Sequence, residues 1–102
     1  MNSEQLDQDE QTQELQVQIL PDVQRGVYAN QLLVVHNQEE FILDFILATP
    51  PAGVVNSRVL VSPAHAKRIV SVLQENVARY EDLFGEIKAV APTGMPDHLK
   101  AN

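Results

Sequence analysis

The stretch Ser62-Pro63-Ala64-His65-Ala66-Lys67-Arg68-Ile69-Val70 opens a helix whose start, apolar stripe and end are all written in residue types. Ser62 can cap a free backbone N–H of the first turn, and Pro63 sits at the first helical position, where a missing N–H costs nothing. Ala66, Ile69, Val70, Leu73, Val77, Tyr80 and Phe84 follow at spacings of three and four. They form one apolar stripe, leaving Lys67, Arg68, Glu75, Arg79 and Asp82 mostly outside it. Gly85 suits a left-handed residue just past the end, so the helix spans about 22 residues and roughly 33 Å. A stripe of that length requires a sheet beneath it.

The sheet lies upstream. Val27 to His36 is apolar and β-branched in its second half, and Phe41-Ile42-Leu43-Asp44-Phe45-Ile46-Leu47 is short and rich in strand formers. The polar residues Asn37-Gln38-Glu39-Glu40 between them predict a hairpin loop, with His36 opposite Phe41 and Leu33 roughly opposite Asp44. Pro50-Pro51-Ala52-Gly53 breaks the second run, and Val54 to Val61 supplies a third that feeds into Ser62. A fourth strand is expected at the front, where Leu15, Val17 and Ile19 alternate with Gln16 and Gln18, with Pro21-Asp22…Arg25-Gly26 as the turn that follows. The fold class is therefore α+β: an antiparallel sheet of three to four strands followed by one long C-terminal helix, in the order β-β-β-β-α.

The chain has 102 residues and a net charge of −7. That length holds one domain, expected over residues 14–88, near the lower size at which one core suffices. Phe41, Leu43, Phe45 and Leu47 alternate with Ile42 and Ile46, so this strand is apolar on both faces while one helix covers only one. The second face must meet another layer, most simply a second copy of the chain, and a homo-oligomer (dimer or tetramer) is expected. The acidity is local: residues 1–23 carry six acidic and no basic side chains, whereas residues 24–89 hold six basic against seven acidic. Residues 1–13 thus read as a disordered acidic arm, and 89–102, with Pro92-Thr93-Gly94-Met95-Pro96, as a flexible tail.

Few reactive constellations exist. There is no Cys, which excludes disulfides, thiolate metal sites and thiol nucleophiles. His36, His65 and His98 form no i,i+3 or i,i+4 ligand pair on the helix, and the glycines at 26, 53, 85 and 94 are isolated, so neither a metal site nor a phosphate loop is expected. No cofactor is implied. Ser62 is explained as a cap, and Ser57 has no base beside it. No apolar run reaches the length of a membrane span and no apolar leader is seen, so a cytoplasmic protein is the default expectation.

Two features carry the weight as candidate partner-binding sites. Asp44 interrupts an apolar run and needs a partner, for which Arg58 on the next strand is the obvious candidate. His65, Lys67 and Arg68 cluster near a helix N-terminus, against the macrodipole, so they either face water or meet an anion such as a carboxylate of another subunit, the acidic arm or a phosphate. A small-ligand enzyme using Asp44 and His36 would require both side chains in one pocket.

The series Tyr28-Ala29-Asn30, His36, Phe41-x-Leu43-Asp44-Phe45, Pro50-Pro51, Ser57-Arg58-Val59, Ser62-Pro63-x-His65-Ala66-Lys67-Arg68, Leu73, Asn76, Tyr80-Glu81 and Phe84-Gly85 resembles a small bacterial family catalogued as domain-of-unknown-function family 3467. The resemblance covers residues 27–88. It implies a single small domain without a cofactor, and no activity. At the level of element order alone, the chain is also similar to SecB-like export-chaperone subunits and to Whirly and PUR-type units that hold single-stranded nucleic acid on a sheet. Such binders use exposed aromatic stacking and a basic groove, whereas this domain is near neutral and has no Trp. The sequence therefore predicts a non-enzymatic, homo-oligomeric protein-binding module, an assembly factor, adaptor or chaperone-like unit with an unidentified protein partner. Binding of single-stranded nucleic acid is the alternative.

Overall fold

A computed structural model of the chain describes residues 14–88. A short helix α1 (Pro21–Gln24) precedes three strands, β1 (Gln31–His36), β2 (Phe41–Thr49) and β3 (Ala52–Val61), and a long helix α2 (Pro63–Phe84) follows. The strands form one antiparallel sheet in the order β1-β2-β3. The expected acidic arm over 1–13 and tail over 89–102 lie outside the described residues.

Both hairpins follow from local chemistry. In the first, the Asn37 side chain accepts from the backbone N–H groups of Glu39 and Glu40 at 2.8 and 3.0 Å, a turn made by a side chain in place of a backbone carbonyl. The resulting register pairs His36 with Phe41 and Leu33 with Asp44, as the loop length predicts. The His36 and Phe41 rings stack across the strands with centroids 5.0 Å apart. In the second hairpin only Pro50 and Pro51, joined by a cis peptide bond, separate the strands. Ala52 already pairs with Thr49, so β3 starts two residues before the expected run. Gly53 lies opposite Ala48, and a Cβ there would meet Ile46 at an ordinary 3.7 Å.

The fourth strand does not form among the described residues. Residues 14–20 carry the alternating pattern but have no ladder partner, and Leu15 is 87 % exposed. In place of a reverse turn, Pro21 opens a helical turn in which Val23 and Gln24 donate to the Leu20 carbonyl, closed by Gly26 at φ 69°. Proline's fixed φ suits a first helical position as well as a turn, and here the helical alternative wins. The chain then returns to the sheet through Asn30, whose side chain donates to the Ala48 carbonyl at 3.1 Å and accepts from the Ala48 N–H at 2.8 Å. The Asn56 amide also donates to the Tyr28 carbonyl at 2.7 Å.

Helix α2 has the expected bounds. The Ser62 hydroxyl accepts from the His65 N–H at 3.1 Å, Pro63 is the first helical residue, and Gly85 ends the helix at φ 100°. Ser62→Ala is expected to lower the stability of the fold by about 1 kcal/mol, the usual worth of a serine cap. A urea titration followed by circular dichroism measures it, and an unchanged midpoint would show that the cap contributes nothing.

Where α2 meets the sheet, the packing is incomplete. Ala66, Ile69, Val70 and Leu73 face Leu32, Val34, Phe41 and Leu43 across an open apolar cleft. Alternation along the strands then puts Leu33, Val35, Ile42, Asp44, Ile46, Arg58 and Leu60 on the opposite face, where Asp44 is buried while Val35 and Leu60 are 52 % and 53 % exposed. The sheet beneath the α2 stripe covers it only in part. The stripe is exposed along most of its length, Val70 by 54 %, Leu73 by 59 %, Val77 by 44 %, Tyr80 by 50 % and Phe84 by 72 %. Among the described residues no hydrophobic side chain is buried; only Gln31 and Asp44 are.

Candidate functional site

Asp44 lies at the middle of the central strand, on the face away from α2. Directly opposite it in the β2–β3 ladder is Arg58, and the two form a two-pronged ion pair, Nε to Oδ1 at 2.7 Å and an Nη to Oδ2 at 2.8 Å. The fork of a guanidinium matches the two carboxylate oxygens, the geometry that makes such pairs strong. Leu33 pairs with Asp44 on the other side, and Ile42 and Ile46 flank it along the strand. The hydrogen bonds from Arg58 hold the Asp44 carboxyl below its ordinary value, with the guanidinium charge adding to that and desolvation opposing it. The same bonds raise Arg58. The pair is asymmetric, because the Asp44 side chain is 7 % exposed and that of Arg58 is 59 % exposed. One side of the guanidinium therefore remains open to an incoming group while the other neutralises the carboxylate.

The sequence-based partnering of Asp44 with Arg58 is thus realised. Pairing Asp44 with His36 is not, since His36 stacks on Phe41 on the helix side of the sheet and Asp44 occupies the other face. These two residues cannot share one pocket, which overturns that arrangement for a small-ligand enzyme.

His65, Lys67 and Arg68 lie in the first two turns of α2, and all three are exposed. The first turn contains no acidic residue, and none of the three has an ion-pair partner among the described residues. They do not adjoin the Asp44–Arg58 pair, because β3 ends at Val61 and α2 crosses the opposite face. Lys67 borders a shallow recess with Phe41, Pro63, Ala66 and Val70, its stem lying along apolar neighbours. Farther along, Val70, Leu73, Gln74, Val77, Ala78 and Glu81 line a second apolar recess on the flank of α2. Sequence reasoning missed this flank, although Lys67, Val70, Gln74, Val77 and Glu81 fall at spacings of three and four and carry the signal.

No group of three or more potential metal-ligating side chains occurs among the described residues. No helix among them is long and apolar enough to cross a membrane. The family described as "protein of unknown function (DUF3467)" matches residues 1–89. The chain belongs to the DUF3467 family. The match takes in residues 1–26 as well as the 27–88 stretch that carries the resemblance in sequence. No curated protein and no solved structure matches the chain.

Proposed function

We propose that this DUF3467 chain is a non-enzymatic protein-binding module of the cytoplasm, an assembly factor, adaptor or chaperone-like unit that works as a homo-oligomer. One observation carries the reading: among the described residues no hydrophobic side chain is buried, while Val35, Leu60, Val77, Tyr80 and Phe84 are all at least 44 % exposed. A single chain with that surface lacks the burial that offsets the entropy of ordering its backbone, so a permanent partner is required to complete the core. The always-available partner is another copy.

Two separate apolar surfaces remain, the flank of α2 and the sheet face away from it, where Val35 and Leu60 are exposed. Self-association through one leaves the other for a second protein. The open face offers Val35, Ile42, Ile46 and Leu60 around a guanidinium with one side free, which fits an apolar segment bearing a carboxylate. Its tests are light scattering at micromolar concentration, then capture from native lysate with the wild-type chain beside a Val35→Glu/Leu60→Glu variant. A multimer whose captured protein is lost in that variant supports the reading, and a monomer overturns it. Salt-sensitive retention of single-stranded nucleic acid, lost on Lys67→Glu/Arg68→Glu, would replace it with the nucleic-acid alternative.

A further inference from the structure

The outer flank of α2 repeats every three and four residues as Lys67, Val70, Gln74, Val77 and Glu81, the spacing of a helix-pairing seam. Its apolar members line an open recess together with Leu73 and Ala78. The seam has a cation at one end, an anion at the other and a neutral amide midway, since Gln74 is seven residues from both Lys67 and Glu81. We infer that α2 is the self-association element: two copies pair antiparallel along this seam, Gln74 lies on the two-fold axis, and Lys67 of each chain meets Glu81 of the other. The inference rests on the homo-oligomeric reading above and adds the surface and its orientation.

Charge decides the orientation. A parallel pair would set Lys67 beside Lys67 and Glu81 beside Glu81 at a partly dry interface, and like charges there are unfavourable. The antiparallel pair converts both contacts into attractions and also opposes the two helix dipoles. It satisfies the isologous rule that residue i meets j while j meets i. The same arrangement explains why cations occupy the first turns of α2, where the helix's own dipole disfavours them: Lys67 answers the acidic end of a second helix. Glu81 accepts from the Ile87 N–H at 2.9 Å through one oxygen, which leaves its other oxygen for the partner. At the centre, two Gln74 amides can each donate and accept across the axis, a polar contact that pins register as buried amides do in paired helices.

The chain has no cysteine, so single replacements report contacts cleanly. Gln74→Cys is expected to cross-link into a covalent dimer on mild oxidation, whereas Arg79→Cys on the far side of the helix is not. Lys67→Glu and Glu81→Lys are each expected to raise the dimer dissociation constant about tenfold or more, because the symmetry doubles every change. Mixing these two variants should give a heterodimer of near wild-type affinity, and the chain carrying both changes should recover as a homodimer. Circular dichroism of each variant at high concentration separates lost pairing from lost folding. A dimer that ignores the charge changes and fails to cross-link at Gln74 overturns this interface while leaving the oligomeric reading intact. A wild-type monomer overturns both.

Discussion

Arg58→Met is expected to lower the melting temperature by roughly 10 °C at pH 7, clearly more than Asp44→Asn does. The two residues share one ion pair, but their surroundings differ. With Arg58 removed, the Asp44 carboxylate, 7 % exposed in the wild type, loses both of its hydrogen-bond donors and is left beside Leu33, Ile42 and Ile46. An uncompensated charge in such a site is far costlier than the pair itself is worth. With Asp44 changed to Asn, Arg58 can turn its exposed guanidinium to water, and the amide still offers an oxygen to it. Replacing both at once, Asp44→Leu with Arg58→Met, should recover most of the loss, since no charge is then stranded.

The pH dependence gives the same argument a sign. Asp44 has its carboxyl held below the ordinary 3.8 by Arg58. Its contribution is therefore complete above about pH 4 and is lost as the pH falls through the lowered folded value. In Arg58→Met the cause of the lowering is gone and desolvation alone acts on the carboxyl, so protonation relieves the stranded charge. The gap in melting temperature between wild type and Arg58→Met should therefore narrow between pH 7 and pH 3. A gap that stays constant over that range would show that Arg58 acts through packing of its stem and not through the carboxylate.

Local chemistry was the legible part of this sequence. Ser62-Pro63 and Gly85 bound α2 because caps act on the backbone within one turn, independent of what packs nearby. The four-residue loop set the β1–β2 register, whereas Asp44 and Arg58 are level in the β2–β3 ladder because the tight Pro50-Pro51 hairpin is followed by a register shift between Phe45 and Ile46, without which Ser57 would face Asp44. Misreadings came where a pattern needs a distant partner. Leu15, Val17 and Ile19 alternate as a strand does, but alternation records an environment of two unlike faces, and no ladder partner is offered to them within the described residues. The apolar stripe of α2 requires a sheet beneath it, but the sheet leaves much of it exposed. Periodicity shows that a face is apolar and is silent on which molecule covers it, so the exposure of the stripe and the recess along α2 became visible only in the structure.

The exposed stripe leads to the second large effect. Unfolding of this protein is expected to depend on its concentration, with each tenfold dilution lowering the melting temperature by about 5 °C for a pair of chains of this size. The reason is that no hydrophobic side chain among the described residues is fully buried until a second copy joins, so folding and association share one equilibrium. Val77 lies in the middle of the α2 recess and is 44 % exposed in the single chain. Val77→Asp would place a carboxylate inside the paired seam, where burying a charge costs several kcal/mol, and it should raise the dissociation constant at least a hundredfold. Arg79→Ala on the same helix removes only an exposed i,i+4 pair with Glu75 at 2.6 Å, worth about 0.3–0.5 kcal/mol, and should leave association unchanged. Melting curves over a hundredfold range of concentration, with sedimentation of the same samples, separate the cases. A wild-type melting temperature that does not move on dilution would mean that one chain folds cooperatively with its apolar faces open, and the requirement for a second copy would fall with it.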